Sequence, residues 1–553
     1  MENQRNLLVI SLIAISILLY IKWLDFIKPE VQEPTAQVEQ STGLPTVGDG
    51  SATTGAGINN NQVPGVIVPN AVTSDPAQLI TVNTDLVVAI INTQGGVIER
   101  LELKKQPIEI DQPENGFPLL KNTSEEVFVV EDGLIIPGGV SAPNHQTAVY
   151  QTPQKSFDLG SSDQLVIPLT WTSENGQTFT KRITFNRDSY LVKVDYQITN
   201  TGNTPLSVFQ YSQFKRTEPK DTGGGLTQLP SYTGGAVYEA EDKLNKIDFG
   251  DMSKKDFNQT TDNGWVSMMQ HYFVGVFVPS QGERTYYTKA DQNIYRIGYN
   301  TKQPLVIQPG ETNNIGNQVF LGPKEQARLD KIEEDLNLEG LSLTVDFGIF
   351  TAISKPLFWL LNLIFNIVGN WGWSIVITTC LIKAAFYPLS AKSYKSMAAM
   401  KKLQPRIKTL KERHKDDRQK FQMEMMEMYK KEKVNPASGC LPILIQIPVF
   451  LAFYWALLES VEMRHAPFML WLQDLSAPDP LYVLPVLMGV TQFLMTKLNP
   501  APMDDIQKKV MMIMPIVLVF IFIDFPQGLV LYWVVNNILS MAQQWYINKK
   551  FGA

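Results

Sequence analysis

Two hydrophobic periods divide this chain. From about Val66 to Gly322 apolar residues come in short runs, partly alternating with polar ones, as strands do. Leu86 to Asn92 and Val97 to Leu103 flank Thr93-Gln94-Gly95-Gly96. Leu165 to Thr172 and Gln177 to Phe185 flank Ser173-Glu174-Asn175-Gly176, a strong hairpin signal. Leu191 to Thr199 stops at Asn200-Thr201-Gly202-Asn203. The pattern predicts a large all-β domain over 65–340, most simply a sandwich, closed by a charged helix from Lys324 to Leu336.

Beyond it the pattern lengthens into apolar helices. Ile349 to Val368 is apolar on one side, but Ser354, Lys355, Asn362 and Asn366 interrupt it and Pro356 bends it. It is long enough to span, and the interruptions favour an amphipathic helix lying in the membrane interface over 345–368. Trp371 and Trp373 then mark a membrane boundary. Five spans are expected in a core over 369–548: Trp371 to Leu389, Leu441 to Leu458, Leu481 to Leu498, Val510 to Phe525, and Gly528 to about Tyr546. Asp524-Phe525-Pro526-Gln527-Gly528 forces the last two into a tight hairpin.

The N-terminus adds a sixth span. Leu7 to Ile21 is almost wholly apolar, and Tyr20, Trp23 and Phe26 stand where a signal peptidase needs small residues. Residues 1–28 therefore read as an uncleaved signal anchor rather than a cleaved signal peptide. Residues 29–64, rich in Pro, Gln, Thr, Gly and Asn, read as a flexible linker. The expected fold is a polytopic α-helical membrane protein with six transmembrane helices and one large extramembrane β domain.

Net charge is −6, and its distribution matters more than its sum. Basic residues cluster after the second span (Lys392, Lys395, Lys401, Lys402, Arg406, Lys408, Lys411, Arg413). They recur at Lys497, Lys508 and Lys509 and again at Lys549 and Lys550. These segments are expected in the cytoplasm, with both termini, which puts the β domain and the loop Glu459 to Pro480 on the far side. The only cysteines, Cys380 and Cys440, lie in or beside apolar spans, so no disulfide framework is expected.

Bond chemistry finds little support. His145, His271, His414 and His465 are scattered without metal spacing, and there is no H-E-x-x-H, Walker lysine or G-x-S-x-G. Gly223-Gly224-Gly225 reads as a plain loop. No cofactor is expected, and no catalytic or metal site. Any transport would be passive or gradient-driven.

Lys383 is the residue that demands a reason. A lysine inside an apolar span costs about 2.5–3.5 kcal/mol on insertion scales. Either it snorkels to the cytoplasmic headgroups, or it points into a water-filled groove among the helices. Thr379 lies one turn earlier on its face. Gln446, Thr491, Gln492, Asn536, Asn537 and Ser540 add polar groups to the other spans; singly each is ordinary interhelical glue, and together with the lysine they suggest a wet interior. Ala391 to Pro436 reads as a helical hairpin: Met397, Met400, Leu403, Ile407 and Leu410 are spaced at three and four residues, and Phe421, Met425, Met428 and Glu432 continue after a break at His414-Lys415-Asp416-Asp417. Its basic surface suits anionic headgroups or ribosomal RNA, and its methionines suit apolar partners of varied shape.

Taken in order, several stretches resemble the YidC/Oxa/Alb family of membrane protein insertases, in its long Gram-negative form. They are Gly369-Asn370-Trp371-Gly372, Tyr387-Pro388-Leu389, Leu403-Gln404-Pro405, Lys433-Val434-Asn435-Pro436, Gly439-Cys440-Leu441-Pro442, Ile445-Gln446-Ile447-Pro448, Asp474-Leu475-Ser476, Leu487-Met488-Gly489 and Phe525 to Tyr532. The resemblance implies a periplasmic supersandwich domain and an inner-membrane core. It implies insertion and chaperoning of membrane proteins, alone or with the Sec translocon, through a hydrophilic groove closed to the periplasm.

By matching position, Lys383 carries the groove charge, usually arginine in the family. Thr379, Gln446, Gln492 and Asn536 supply polar lining, and Tyr532 and Trp533 stand near the closed end. Ile447, Pro448, Phe450, Val517 and Phe520 form the greasy face along which a client leaves. The hairpin cations Lys401, Lys402, Arg406, Lys408, Lys411 and Arg413 are implied to recruit clients. The implied partners are nascent inner-membrane proteins, the Sec translocon with its accessory subunits, and the lipid bilayer. Ribosome or signal-recognition-particle contacts are less supported, because the tail after Tyr546 is short.

Two other classes compete. A secondary transporter would use Lys383 as a proton or anion site, but no internal duplication is visible. An enzyme acting through the β domain, for instance on a sugar, would need a carboxylate–histidine pair, and none stands out in the sequence.

Overall fold

The computed structural model describes residues 77–138, 141–219, 231–241, 243–280, 282–414, 417–432, 434, 441–498 and 505–551. The expected signal anchor, the linker and Gly223–Gly225 lie outside the described residues. Among the described residues the β region forms two sheets.

The larger, eleven-stranded sheet runs neighbour to neighbour through Asn258–Thr261, Arg284–Asp291, Ile294–Thr301, Leu206–Thr217, Val127–Ile135, Gly116–Asn122, Val97–Pro107, Val87–Asn92, Leu79–Asn83 and Ser156–Asp158, with Leu305–Ile307 paired onto Leu206–Thr217. The eight-stranded sheet runs through Lys243–Ile247, Gly234–Glu239, Gly264–Met269, Phe273–Pro279, Thr312–Pro323, Leu191–Thr199, Thr178–Asn186 and Gln164–Thr172. The hairpin at Asn175-Gly176 forms as expected, with Gly176 at φ +79° in a conformation glycine adopts without steric cost.

The sheets meet face to face. Phe214 of one packs at a tilt against Phe277 of the other, ring centroids 4.2 Å apart. Asn317 bridges the gap, donating to Tyr299 Oη at 2.8 Å and to Ser212. Next to it a buried cation does the same, since Asp132 lies opposite Ser212 on the neighbouring strand. Lys181, wholly buried, donates to Asp132 at 2.9 Å and to the carbonyls of Gly95 and Gly96 at 3.2 and 2.8 Å, while Tyr196 also donates to Asp132. Burial lowers the Lys181 pKa, and the Asp132 charge pulls it back up. Each of the three ammonium hydrogens has an acceptor, which is what makes a buried charge tolerable.

Ten α-helices follow in chain order among the described residues: α1 (Phe249–Lys254), α2 (Gln326–Leu336), α3 (Thr351–Val368), α4 (Trp371–Ala385), α5 (Tyr387–Arg413), α6 (Arg418–Lys431), α7 (Leu441–Leu458), α8 (Val483–Leu498), α9 (Asp505–Phe522) and α10 (Gln527–Phe551). α3 ends at Gly369, φ +66°, and Asn370 caps α4 by accepting from Trp373 N at 3.0 Å. Asp479 caps α8, accepting from Leu484 N at 2.7 Å. α3 packs on α4 and α7; α10 packs on α4, α5 and α8; α9 packs on α8.

Two boundaries and one span assignment differ from the sequence expectation. The helix carrying Lys383 ends at Ala385, not Leu389, because the chain turns by 67° into α5 with Pro388 in its first turn. The hairpin accordingly starts at Tyr387 rather than Ala391. By length and apolarity, α3, placed in the interface by its sequence, is the one unbroken described helix that passes as a membrane span. The apolar stretches Gln446–Leu458, Val483–Leu498 and Val510–Phe522 are shorter, and α4 counts only if joined to α5 across the bend.

A polar clasp joins the β domain to the helices. His271 Nε2 donates to the carbonyl of Leu458, the last residue of α7, at 2.9 Å. Lys324 and Glu459, each 1% exposed, pair at 3.6 Å, and Lys324 also donates to Thr344 O at 3.1 Å. Glu462 accepts from Gln326 N at 3.0 Å. Arg464 donates to the carbonyls of Pro107 and Ile108, at 2.5 and 3.2 Å, beneath the rings of Phe117 and Phe273.

Two outcomes follow from these contacts. Lys181→Met strands a buried carboxylate and should lower stability by about 3–5 kcal/mol, whereas Lys181→Met combined with Asp132→Leu should recover most of it; thermal unfolding of the detergent-solubilised protein measures both. Burial, and next the Lys324 charge, lower the His271 pKa from 6.5 to about 4. The folded state therefore resists the proton that the unfolded state accepts. Stability is full above about pH 6.5 and falls towards pH 4 by up to about 1.4 kcal/mol per unit. In His271→Gln that part of the slope should vanish in pH-dependent unfolding curves.

Candidate functional site

The site grows out of the break between α4 and α5. Because α4 stops at Ala385, Lys383 sits in its last turn, and the turn at Phe386 swings α5 away. The space left is bounded by α4, α5, α7 and α10 and opens to solvent; with the open solvent at its mouth it amounts to about 500 Å³. Ile382 and Lys383 line it from α4, Leu389, Ser390 and Tyr394 from α5, Gln446 and Val449 from α7, and Tyr532 and Asn536 from α10.

Lys383 is half-buried. Its Nζ donates to Ser540 Oγ at 2.7 Å, and that hydroxyl donates onward to the Asn536 carbonyl at 2.7 Å. Tyr394 also hydrogen-bonds to the Ser540 side chain. Among the described residues no carboxylate forms an ion pair with Lys383. The pocket therefore presents one cation with a neutral hydroxyl partner. Opposite, Gln446 and Tyr532 hydrogen-bond through their side chains.

Aromatic packing closes the pocket towards the β domain. One to two turns from Gln446 along α7, Phe450 meets Trp533 edge-on at 4.5 Å, and Phe453 stacks on Tyr532 at 4.6 Å. Phe522 packs on Trp533 at 5.2 Å and on Phe525 at 4.7 Å. Tyr532 is 2% exposed. Further on, Gly372 lets α4 approach the loop after α7; a Cβ there would sit 2.1 Å from the Phe468 ring.

The predicted site residues divide accordingly. Lys383, Gln446, Asn536 and Tyr532 come together in the pocket, and Trp533 packs against Phe450 and Phe522 in the aromatic closure. Thr379 does not reach it: its hydroxyl bonds back to Ile375 O at 2.7 Å and the residue is 1% exposed. Gln492 does not line it either, since α8 lies behind α10. Ile447, Val517 and Phe520 are exposed on α7 and α9, Phe520 by 69%; Pro448 is half-buried, and Phe450 belongs to the aromatic closure. Ser540 and Tyr394 were missed as site residues. Ser540 showed as a polar group two turns from Tyr532, but Tyr394 gave no signal, because only the bend after Ala385 returns it to the lysine.

In the hairpin, Met400, Leu403 and Ile407 bury against Tyr429, Met425 and Met428. Lys401, Lys402, Arg406, Lys408, Lys411 and Arg413 are exposed, and Arg406 pairs with Glu432 at 2.8 Å. The β domain does hold a carboxylate–histidine pair that the sequence hid: His145 Nε2 lies 3.4 Å from Glu131. His145 Nδ1 meets Tyr211 Oη at 2.6 Å, and both members of the pair are buried. Burial lowers the His145 pKa. The pair is buried in the interior of the β domain.

Residues 79–360 match the family model described as YidC periplasmic domain, and residues 363–553 match the one described as 60Kd inner membrane protein. The chain is similar to the membrane protein insertase YidC of Methylobacillus flagellatus, 44% identical over 99% of this chain and 97% of that one. The corresponding insertase of Azotobacter vinelandii is 41% identical over 100% and 99%. A crystal structure of an active YidC insertase aligns over 86% of this chain and 93% of its own, at 18% identity and a TM-score of 0.41. These relatives lend no support to the transporter alternative.

The pocket's depth is testable by chemistry. With Cys380 and Cys440 replaced, a cysteine at Lys383 or Ser390 should react with a charged, water-soluble thiol reagent. One at Thr379 should react at least about tenfold more slowly, as a barrier of about 1.4 kcal/mol would give. Rates in membrane vesicles measure the difference.

Proposed function

Because the chain belongs to the YidC family of membrane protein insertases, which act without bond chemistry at the inner membrane and carry a periplasmic domain, we propose that it inserts, folds and helps assemble inner-membrane proteins by offering their hydrophilic segments the pocket around Lys383. Moving a polar segment across about 30 Å of hydrocarbon is opposed chiefly by desolvation. A wet half-channel thins that barrier, and a fixed cation draws in acidic groups. The membrane potential, worth about 2.3 kcal/mol per charge per 100 mV, and the client's own hydrophobicity then complete the transfer.

One observation carries this reading: Lys383 faces a solvent-connected pocket with Ser540 as its partner and no carboxylate in an ion pair with it among the described residues. A structural lysine would more usually be neutralised, as Lys181 is by Asp132. The aromatic layer of Phe450, Phe522, Tyr532 and Trp533 is the barrier on the periplasmic side. The exposed apolar residues Ile447, Val517 and Phe520 are the face along which the client's transmembrane segment leaves. The exposed cations of the hairpin receive clients, directly or handed over by the Sec translocon or a ribosome.

In the proposed topology the N-terminal anchor, α4, α7, α8, α9 and α10 cross the bilayer and both termini are cytoplasmic. α3 lies at the periplasmic interface, with Lys355 and Asn366 exposed to headgroups.

Charge reversal tests the mechanism. Lys383→Arg should preserve insertion of clients with acidic translocated segments, whereas Lys383→Glu should lower it by about tenfold, equivalent to about 1.4 kcal/mol. Protease protection of a small acidic client in depleted cells reads the outcome, and equal activity of the two variants would remove the electrostatic role.

A further inference from the structure

The β domain carries an apolar tip that its own core does not use. Strands Val97–Pro107 and Gly116–Asn122 are joined by a turn in which Ile108 and Ile110 are 51% and 45% exposed. Isolated exposed aliphatic residues are ordinary, but two at one hairpin tip, on either side of Glu109, are not scattered. The root of this turn is fixed. The carbonyls of Pro107 and Ile108 both accept from Arg464, whose guanidinium lies against Phe117 and Phe273.

Arg464 belongs to the loop between α7 and α8, six residues after α7 ends. That loop has exposed apolar side chains of its own. Met469 and Leu470 are 43% and 73% exposed, and Leu470 is held at φ +56°, a conformation that costs a leucine roughly 1 kcal/mol or more. Beside them Phe468 packs edge-on against Trp373 near the start of α4, 5.4 Å between centroids. The hairpin is thus tied to the level at which the helices leave the hydrocarbon.

We propose that the turn Ile108–Asn115 dips into the periplasmic leaflet of the bilayer, with Ile108 and Ile110 as its apolar contacts, and that together with Met469 and Leu470 it sets the β domain's tilt over the insertase core. The inference rests on α7 and α8 crossing the membrane as proposed above. Two isoleucines would be a feeble anchor for a soluble domain. Here the domain is already tethered at the bilayer, so the contact is intramolecular and needs little affinity. Glu109, Asp111 and Glu114 flank the tip and are exposed. They favour a zwitterionic surface and keep the tip shallow, in the headgroup and upper acyl region where interfacial side chains settle.

The test places a polarity-sensitive fluorophore on single cysteines in the full-length protein lacking Cys380 and Cys440. The protein is reconstituted in phosphatidylethanolamine–phosphatidylcholine vesicles containing a lipid spin-labelled high on the acyl chain. Labelled positions are Ile110, the remote exposed hairpin residue Glu174, and Phe520 on α9. The expected result is quenching at 110 at least about threefold that at 174, unchanged as the protein is diluted in lipid, with 520 also quenched. Quenching at 110 equal to that at 174, with 520 quenched, overturns the hairpin proposal alone. A blue-shifted emission at 110 without lipid quenching, or quenching lost on dilution, means that protein covers the tip and overturns it too. Failure of quenching at 520 overturns the membrane reading and this proposal with it. Unfolding temperatures of the labelled proteins in detergent confirm that each is folded before it is scored.

Discussion

An ammonium group among apolar helices is stable only where something polar receives it, and the insertase core is arranged around that constraint. Lys383 is received by a serine hydroxyl and by solvent-connected space rather than by a carboxylate. A carboxylate would have neutralised the charge and spent it on structure, as Asp132 does for Lys181 in the β domain. The two lysines therefore differ in one respect: Lys181 has an acceptor for each ammonium hydrogen, and Lys383 has one hydroxyl partner beside solvent-connected space. A single-point contact to Ser540 also suits a primary ammonium, which does not have the fixed fork of a guanidinium to satisfy.

The pocket exists because of a break. The helix that carries Lys383 ends two residues later, and the turn into α5 opens a space that a straight helix would have filled with its own next turn. Tyr394 and Ser390 come back from α5 to line it. On the opposite side, rings from α7, α9 and α10 pack edge-on and stacked. Large rigid side chains with few rotamers close such a space at little entropic cost. Rings thus close one end of the space, and its other end opens to solvent.

The β domain is not merely appended. Its clasp to the helices combines a buried ion pair, a histidine-to-carbonyl bond at the end of α7 and an arginine that reaches back to a strand end. None of these is worth much by area, but each is costly to break one partner at a time, because a buried polar group would be left alone. The clasp grips the segment that follows α7, and α7 carries Gln446 and Phe450. The domain's orientation and the helix lining the pocket are therefore mechanically joined.

Much of this was legible along the chain. Period-two runs with Asn-Gly and Gly-Gly turns gave the strands and several of their limits, because a strand's faces and its turn chemistry are local. Long apolar runs and the lysine clusters gave the helices and the expected orientation, because burial and charge asymmetry are additive properties of a segment. Lys383 stood out because a charge in an apolar run is anomalous whatever surrounds it. The rest depended on which residues meet. The end of α4 at Ala385, the return of Tyr394, the exclusion of Thr379 by its bond to Ile375, and the pairing of His145 with Glu131 or of Lys324 with Glu459 are contacts between positions whose sequence neighbours do not announce them. The sequence determined which groups were available and what each would cost to bury. Only the tertiary structure decided which of those costs were offset by a charged partner, because that depends on side chains brought together from distant parts of the chain.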